Sequence, residues 1–315
     1  MLLSKSLSVV ALTLAAIASS FVQASPIPAS TAPDVYIPLK ERVYTAEQID
    51  QHTNIMKRSS SGFNDWSCKP SAAHPRPIVL VHGLIGNGWD NWLYMAPRFV
   101  ARGYCVFSLT YGQLPGIPLF AGLDKMETGA QQLSAFVDKV LAATNSTKVN
   151  LVGHSQGSLM PRYYLKYMGG AAKIDKYAAF GTIAYGTDLH SIAPFLTALG
   201  LYDVIKQVVD PFCLSCFQLL QGSPFLKDLN AGGDTVPGVQ YKYIVSKYDQ
   251  VVTPYTSGHL RDKNPLVQNV VLQNICALDL SEHVAQMLDP IVFHSINAFF
   301  DSKANQNVNC LSALT

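Results

Sequence analysis

Val149-Asn150-Leu151-Val152-Gly153-His154-Ser155-Gln156-Gly157 is the stretch on which the reading of this chain turns. Residues 149–152 form an apolar run of buried-strand character, and residues 156–168 beyond it have helical spacing. Between them stands a single copy of the pattern G-x-S-x-G. A serine at such a strand-to-helix corner projects its hydroxyl from the edge of a sheet. Glycines two residues to either side let the flanking backbones close in. The start of the following helix favours the negative charge that develops when a hydroxyl attacks a carbonyl. Ser155 is therefore the candidate nucleophile.

Outward from this corner, short apolar runs alternate with helical segments. Strands are expected at 77–82, 104–109, 149–153, 177–184, 241–246 and 269–272. Helices are expected at 93–101, 126–143, 156–168 and 290–300. This alternation predicts an α/β class domain, a mostly parallel central sheet flanked by crossover helices.

Serine at its ordinary pKa is a weak nucleophile and needs a base that is itself held by a carboxylate. On this strand–turn–helix plan the acid and then the histidine follow the serine in the chain. The acid is assigned to Asp249, in the turn after the strand at 241–246. Asp234 is the competitor, but it sits among glycines with no strand before it. The base is assigned to His283, which follows the last strand, with His259 second. His82 and His154 flank the glycine motifs and read as structural, and His294 reads as a core histidine of the terminal helix. The developing oxyanion needs fixed backbone donors. The Gln156 amide, just after the nucleophile, is one. The Leu84 amide, in His82-Gly83-Leu84-Ile85-Gly86, is the other.

The chain has 315 residues, 49% of them apolar and 14% charged, with a formal net charge of +2. That balance gives no case for a nucleic-acid partner. Lys5, the apolar run 7–18 and Val22-Gln23-Ala24 read as a signal peptide over 1–24, too short to serve as a membrane anchor. Residues 25–58 read as a pro-segment ending in Lys57-Arg58, although an exposed dibasic pair needs no processing. Residues 59–315 then form one catalytic domain. Six cysteines in a secreted chain argue for three disulfides, and fifteen pairings are possible. The favoured set is Cys68–Cys105, Cys213–Cys216 and Cys276–Cys310. The alternative for Cys213-Leu-Ser-Cys216 is a redox or zinc half-site, which no second cluster supports. Asn145-Ser146-Thr147 is a glycosylation sequon on an expected surface turn.

One sheet connection, 185–240, carries far more chain than a crossover needs. Leu201, Ile205, Val208 and Val209 recur there at helical spacing. The plain reading is additional core. The sharper one is a helical lid or cap whose apolar side lines an acyl cleft and meets a lipid–water interface.

Val81-His82-Gly83, Gly153-His154-Ser155-Gln156-Gly157, Tyr248-Asp249-Gln250-Val251-Val252-Thr253-Pro254 and Glu282-His283 together resemble the class 2 secreted triacylglycerol lipases. Pro161-Arg162-Tyr163-Tyr164 through Gly169-Gly170 and the late cysteine pair are similar to that group as well. The resemblance runs from about Arg76 to Cys310. It implies an α/β-hydrolase fold, ester hydrolysis without cofactor or metal, and the triad Ser155, Asp249 and His283. It further implies an oxyanion hole from Leu84 and Gln156, and supports Cys68–Cys105. The long insertion departs from compact members of that group. Two other functions stay open on the residues: a short-chain esterase or polyesterase, and a silent binding relative.

Overall fold

The computed structural model describes residues 62–115, 117, 119–188 and 213–314. The expected signal peptide, the expected pro-segment and residues 189–212 of the insertion, including Leu201, Ile205, Val208 and Val209, lie outside the described residues.

Six strands form one sheet: β1 (Ile78–Val81), β2 (Val106–Leu109), β3 (Val149–His154), β4 (Ile174–Phe180), β5 (Gln240–Val245) and β6 (Val267–Val271). Their order is β2-β1-β3-β4-β5-β6, and every pairing is parallel. β1, β2 and β3 are buried throughout, as expected of parallel strands covered on both faces. The two-residue side-chain period sorts β1 cleanly. Val79 and Val81 join Phe107, Leu133, Phe136, Val137 and Met160 on one face of the sheet. Ile78 and Leu80 join Val106, Phe99, Val152, Ile291 and Ile296 on the other.

The helices supplying these two layers are α1 (Met95–Ala101), α2 (Met126–Thr144), α3 (Met160–Tyr167) and, near the end of the chain, α7 (Pro290–Phe300). α2 buries Met126, Ala130, Leu133, Val137 and Val140, a three-and-four spacing that lays one stripe on the sheet. α7 starts where expected because Asp289 caps it, its side chain accepting from the Ile291 and Val292 amides with Pro290 as first residue. The strand order doubles back between β1 and β3. In sheets of this kind the carboxyl ends at such a reversal are the usual place for a site.

Three differences from the sequence expectation have local causes. The helix expected at 156–168 is split into a 3-10 turn, Ser155–Ser158, and α3, because the tight corner at Ser155 leaves no room for a full α turn. β4 runs 174–180 rather than 177–184, since Gly181, with φ 54°, turns the chain out of the sheet. β6 begins two residues early and passes straight into the short α6 (Leu272–Ile275).

Of the insertion, its two ends are described. They carry α4 (Leu214–Gln218) and α5 (Pro224–Asn230), the latter capped by Ser223. The ends are zipped by a bridge between Thr187 and Leu220. Arg162 of α3, 2% exposed, fastens both sides of that stem. Its guanidinium donates to Ala184 O (3.1 Å), Asn230 Oδ1 (2.7 Å) and Asp234 Oδ1 (3.1 Å).

The disulfides are Cys68–Cys105, Cys213–Cys216 and Cys276–Cys310. The first ties the leading segment beside β2. Asn64 there mimics a neighbouring strand, exchanging side-chain bonds with Ser108 N and O and so covering the sheet edge. No helix of the described residues is long and apolar enough to cross a membrane.

Candidate active site

β3 delivers Ser155 to the carboxyl edge of the sheet with φ 53°, a left-handed conformation that costs an L-residue energy. The glycines make this corner possible. A Cβ on Gly153 would overlap the Gly157 carbonyl, and one on Gly157 would overlap the Val81 carbonyl of the adjacent strand.

Ser155, Asp249 and His283 come together although they leave three different strands. Asp249 lies in the turn after β5, where its Oδ1 accepts from the Val251 (2.9 Å) and Val252 (2.8 Å) amides. Its Oδ2 lies 2.8 Å from His283 Nδ1, and His283 Nε2 lies 2.8 Å from Ser155 Oγ. A carboxylate can only accept, so the imidazole proton sits on Nδ1 and Nε2 is left to accept from the serine hydroxyl. All three residues are buried, at 8%, 7% and 5% exposure for Ser155, Asp249 and His283.

Burial opposes charge on both partners, but each is overruled by the other. The buried His283 ring is nonetheless held above the usual imidazole pKa, because the Asp249 charge and hydrogen bond outweigh desolvation. Burial likewise pushes Asp249 up, and His283 with the two turn amides brings it net below the usual carboxylate value. The loop bearing His283 is stitched to β5: Ser246 Oγ donates to Ser281 O, and Gln273 Nε2 donates to Ser246 Oγ and Asp279 O.

The two candidate oxyanion donors are next to the glycine motifs: Gln156 directly follows Ser155, and Leu84 follows Gly83, on which a Cβ would stand 3.1 Å from Ser155 Cβ. Gln156 is the second residue of the 3-10 turn, where amides have no intrahelical acceptor. Leu84 precedes two amides already used, Ile85 N on Ala121 O and Gly86 N on Gly83 O.

Asn91 and Gln286, which the sequence did not single out, shape the site, as do His82 and His154, the two histidines read as structural. Asn91 Oδ1 accepts from Gly83 N (3.0 Å) and lies 3.0 Å from His154 Nδ1, linking the two glycine motifs. His82 is fixed as one tautomer: Tyr111 N donates to Nε2, so Nδ1–H donates to Gly83 O. Burial holds it neutral, with its pKa down to about 4. His154, buried beside His283, is pushed down to about 3. Gln286 accepts from Gly181 N with Oε1. Asn91 stands in Trp89-Asp90-Asn91-Trp92, which carries no motif that singles out the amide.

The rival residues are occupied elsewhere. Asp234 is paired with Arg162 and accepts from Tyr185 Oη and Arg261 N. His259 packs edge-on to Tyr255, and His294 is half-buried on α7. Cys213 and Cys216 are joined to each other, so their thiols are not ligands. No cluster of three or more His, Cys, Asp or Glu among the described residues could hold a metal. Asn145 is exposed, in left-handed conformation at the end of α2.

An all-parallel sheet with its corner serine at the carboxyl edge defines an α/β-hydrolase. The same fold is found in Aspergillus fumigatus lipase B (18% identity, TM-score 0.62, 91% of this chain and 68% of that one). It recurs in a mature Bacillus licheniformis lipase (19% identity, TM-score 0.53, 74% of this chain and 94% of that one). The model of the class 2 lipases matches residues 75–293. The chain belongs to that family. It is 41% identical over 97 residues to a triacylglycerol lipase of Pseudarthrobacter phenanthrenivorans (29% of this chain, 28% of the relative). A triacylglycerol lipase of Vibrio cholerae is 29% identical over 168 residues (51% of this chain, 46% of the relative). The chain thus spans less than half the length of either relative.

Proposed function

We propose that this protein is a secreted lipase that hydrolyses the carboxylic ester bonds of acylglycerols through an acyl-enzyme on Ser155. The observation that carries the reading is the unbroken line from Asp249 Oδ2 through His283 to Ser155 Oγ, with both links at 2.8 Å. In that arrangement Ser155 Oγ attacks the ester carbonyl while His283 Nε2 takes its proton, and Asp249 stabilises the imidazolium. The Leu84 and Gln156 amides hold the oxyanion as the tetrahedral intermediate forms. His283 then protonates the departing alcohol, and water repeats the sequence to release the acid. Each proton transfer runs through His283, from Ser155 to the departing alcohol and then from water back to Ser155, and the mechanism calls for no metal and no cofactor. Family membership and the similarity to triacylglycerol lipases favour acylglycerols.

Export is supported by the residues at 1–24 and is compatible with the three disulfides. In this reading residues 25–58 are removed as a pro-segment and Asn145 carries a glycan. The insertion at 185–240 acts as a lid toward a lipid surface.

The test is hydrolysis of p-nitrophenyl esters from short to long acyl chains, with Ser155→Ala alongside. The expected outcome is activity that persists to long chains and falls about 10⁴-fold or more in the variant. Activity confined to short chains would make the protein an esterase. Equal rates in both proteins would remove Ser155 from the mechanism.

A further inference from the structure

The segment 121–123, which belongs to no helix or strand, threads between the two proposed oxyanion donors. On one side Ala121 O accepts from Ile85 N at 2.9 Å. Ile85 immediately follows Leu84 and is a β-branched residue held at φ 60°, a conformation it keeps only when pinned. On the other side Gly122 O accepts from Gln156 Nε2 at 3.0 Å. The fit there is tight: a Cβ on Gly122, at φ 75°, would stand 2.7 Å from Gln156 Oε1 and 3.4 Å from Leu84 Cα.

What backs this strap is the turn between Cys213 and Cys216. Ser215, fully buried, donates its hydroxyl to the same Gly122 carbonyl at 2.5 Å and its amide to Leu123 O at 3.2 Å. Cys213 packs with Leu114 and Leu123, and Leu84, Ile85 and Cys216 lie against that cluster. One helical turn on, Gln218 accepts from Met126 N and donates to Glu127. α4 thus holds the strap through Ser215 and the start of α2 through Gln218.

We propose that Ser215, presented by the Cys213–Cys216 ring, is a positioning residue for the oxyanion hole, acting through the Gly122 carbonyl that it shares with the Gln156 side chain. A carbonyl with two donors is fixed in direction as well as in place. Removing the Ser215 hydroxyl frees the strap to shift, and with it the Gln156 side chain and the Ile85 turn. The loss falls on the transition state, where the oxyanion is held, rather than on ground-state binding of the ester.

This inference rests on the serine-hydrolase reading, so labelling of wild-type Ser155 by a fluorophosphonate is scored first. No labelling fails that reading. Labelling with unaltered Ser215→Ala kinetics fails this inference alone. The experiment compares Ser215→Ala with Gln218→Ala, measuring kcat and KM on p-nitrophenyl butyrate, inhibition by phenylboronic acid, and Tm. Boronate forms an anionic tetrahedral adduct on the serine and so reports the oxyanion hole directly. For Ser215→Ala, kcat is expected to fall about tenfold with KM within about twofold, and boronate to weaken by the same factor as kcat/KM. Gln218→Ala is expected to lower Tm while leaving kcat and boronate affinity within about twofold. If Gln218→Ala lowers kcat and boronate affinity as much as Ser215→Ala does, α4 serves only general packing and the proposal is overturned. Should Ser215→Ala fail to fold, the double variant Cys213→Ser, Cys216→Ser carries the same readouts, with unchanged boronate affinity as the overturning result.

Discussion

At Ser155 two demands on one residue conflict. The corner needs a left-handed backbone, which glycine accepts freely, while the proposed chemistry needs a hydroxyl. Ser155→Gly is therefore expected to exceed Ser155→Ala in stability by about 1 kcal/mol, both being inactive, as thermal unfolding would read. His283 makes a second demand visible. Its raised pKa places the acid limb of the kcat/KM profile above the ordinary imidazole value, because only neutral His283 can accept the serine proton. Asp249→Asn removes the charge that raises it and leaves desolvation in command. The limb should then move to lower pH while kcat falls about 10⁴-fold. The linked stability has a defined window. The raised His283 contributes fully below its unfolded pKa and loses its contribution as pH rises through the folded value. The depressed Asp249 contributes above its unfolded pKa and loses its contribution as pH falls through the folded value. Together they favour the folded state most between about pH 4 and 6.5.

Among the elements, the strands and the long helices were legible because burial on both sheet faces writes an apolar run and an amphipathic helix writes a three-and-four stripe. β3, α2 and α7 fall within a residue or two of expectation. The elements that were not legible are those whose stability comes from one distant partner. α4 has five residues and docks by Ser215 and Gln218 onto backbone that no local pattern reveals. Asn91 and Gln286 are ordinary amides until the fold carries them to the glycine motifs and to Gly181. Asp234 could be set aside only on the absence of a preceding strand, and the structure supplies the positive reason, its buried pairing with Arg162. Breaking that pair strands a charge in the interior. Arg162→Ala is expected to cost about 3–5 kcal/mol, read from denaturant unfolding. The disulfides should rank by ring size. Cys213–Cys216 closes a separation of 3 residues and Cys276–Cys310 one of 34. Chain entropy assigns them about 2 and nearly 4 kcal/mol, so Cys276→Ser with Cys310→Ser should lower Tm more than the equivalent change at Cys213 and Cys216.

For the molecule as a whole, the parallel sheet has a consequence in time. His283 and Ser155 are 128 residues apart in sequence, and Asp249 lies 34 before His283. Each leaves a different strand, and no hairpin brings any two together early. Topologies of this kind close their long loops before the contacts repay them, and they fold slowly. α2 needs no distant strand to begin forming, whereas the hydrogen-bonded line requires β3, β5 and the loop after β6 at once. On refolding from denaturant with disulfides intact, helical circular dichroism should recover first. Phosphonate reactivity should return only in the slowest phase, a lag that rapid-mixing experiments would measure. The chain would then be chemically inert on its way to the native state, and the moment it becomes a hydrolase would be the moment its last strand docks.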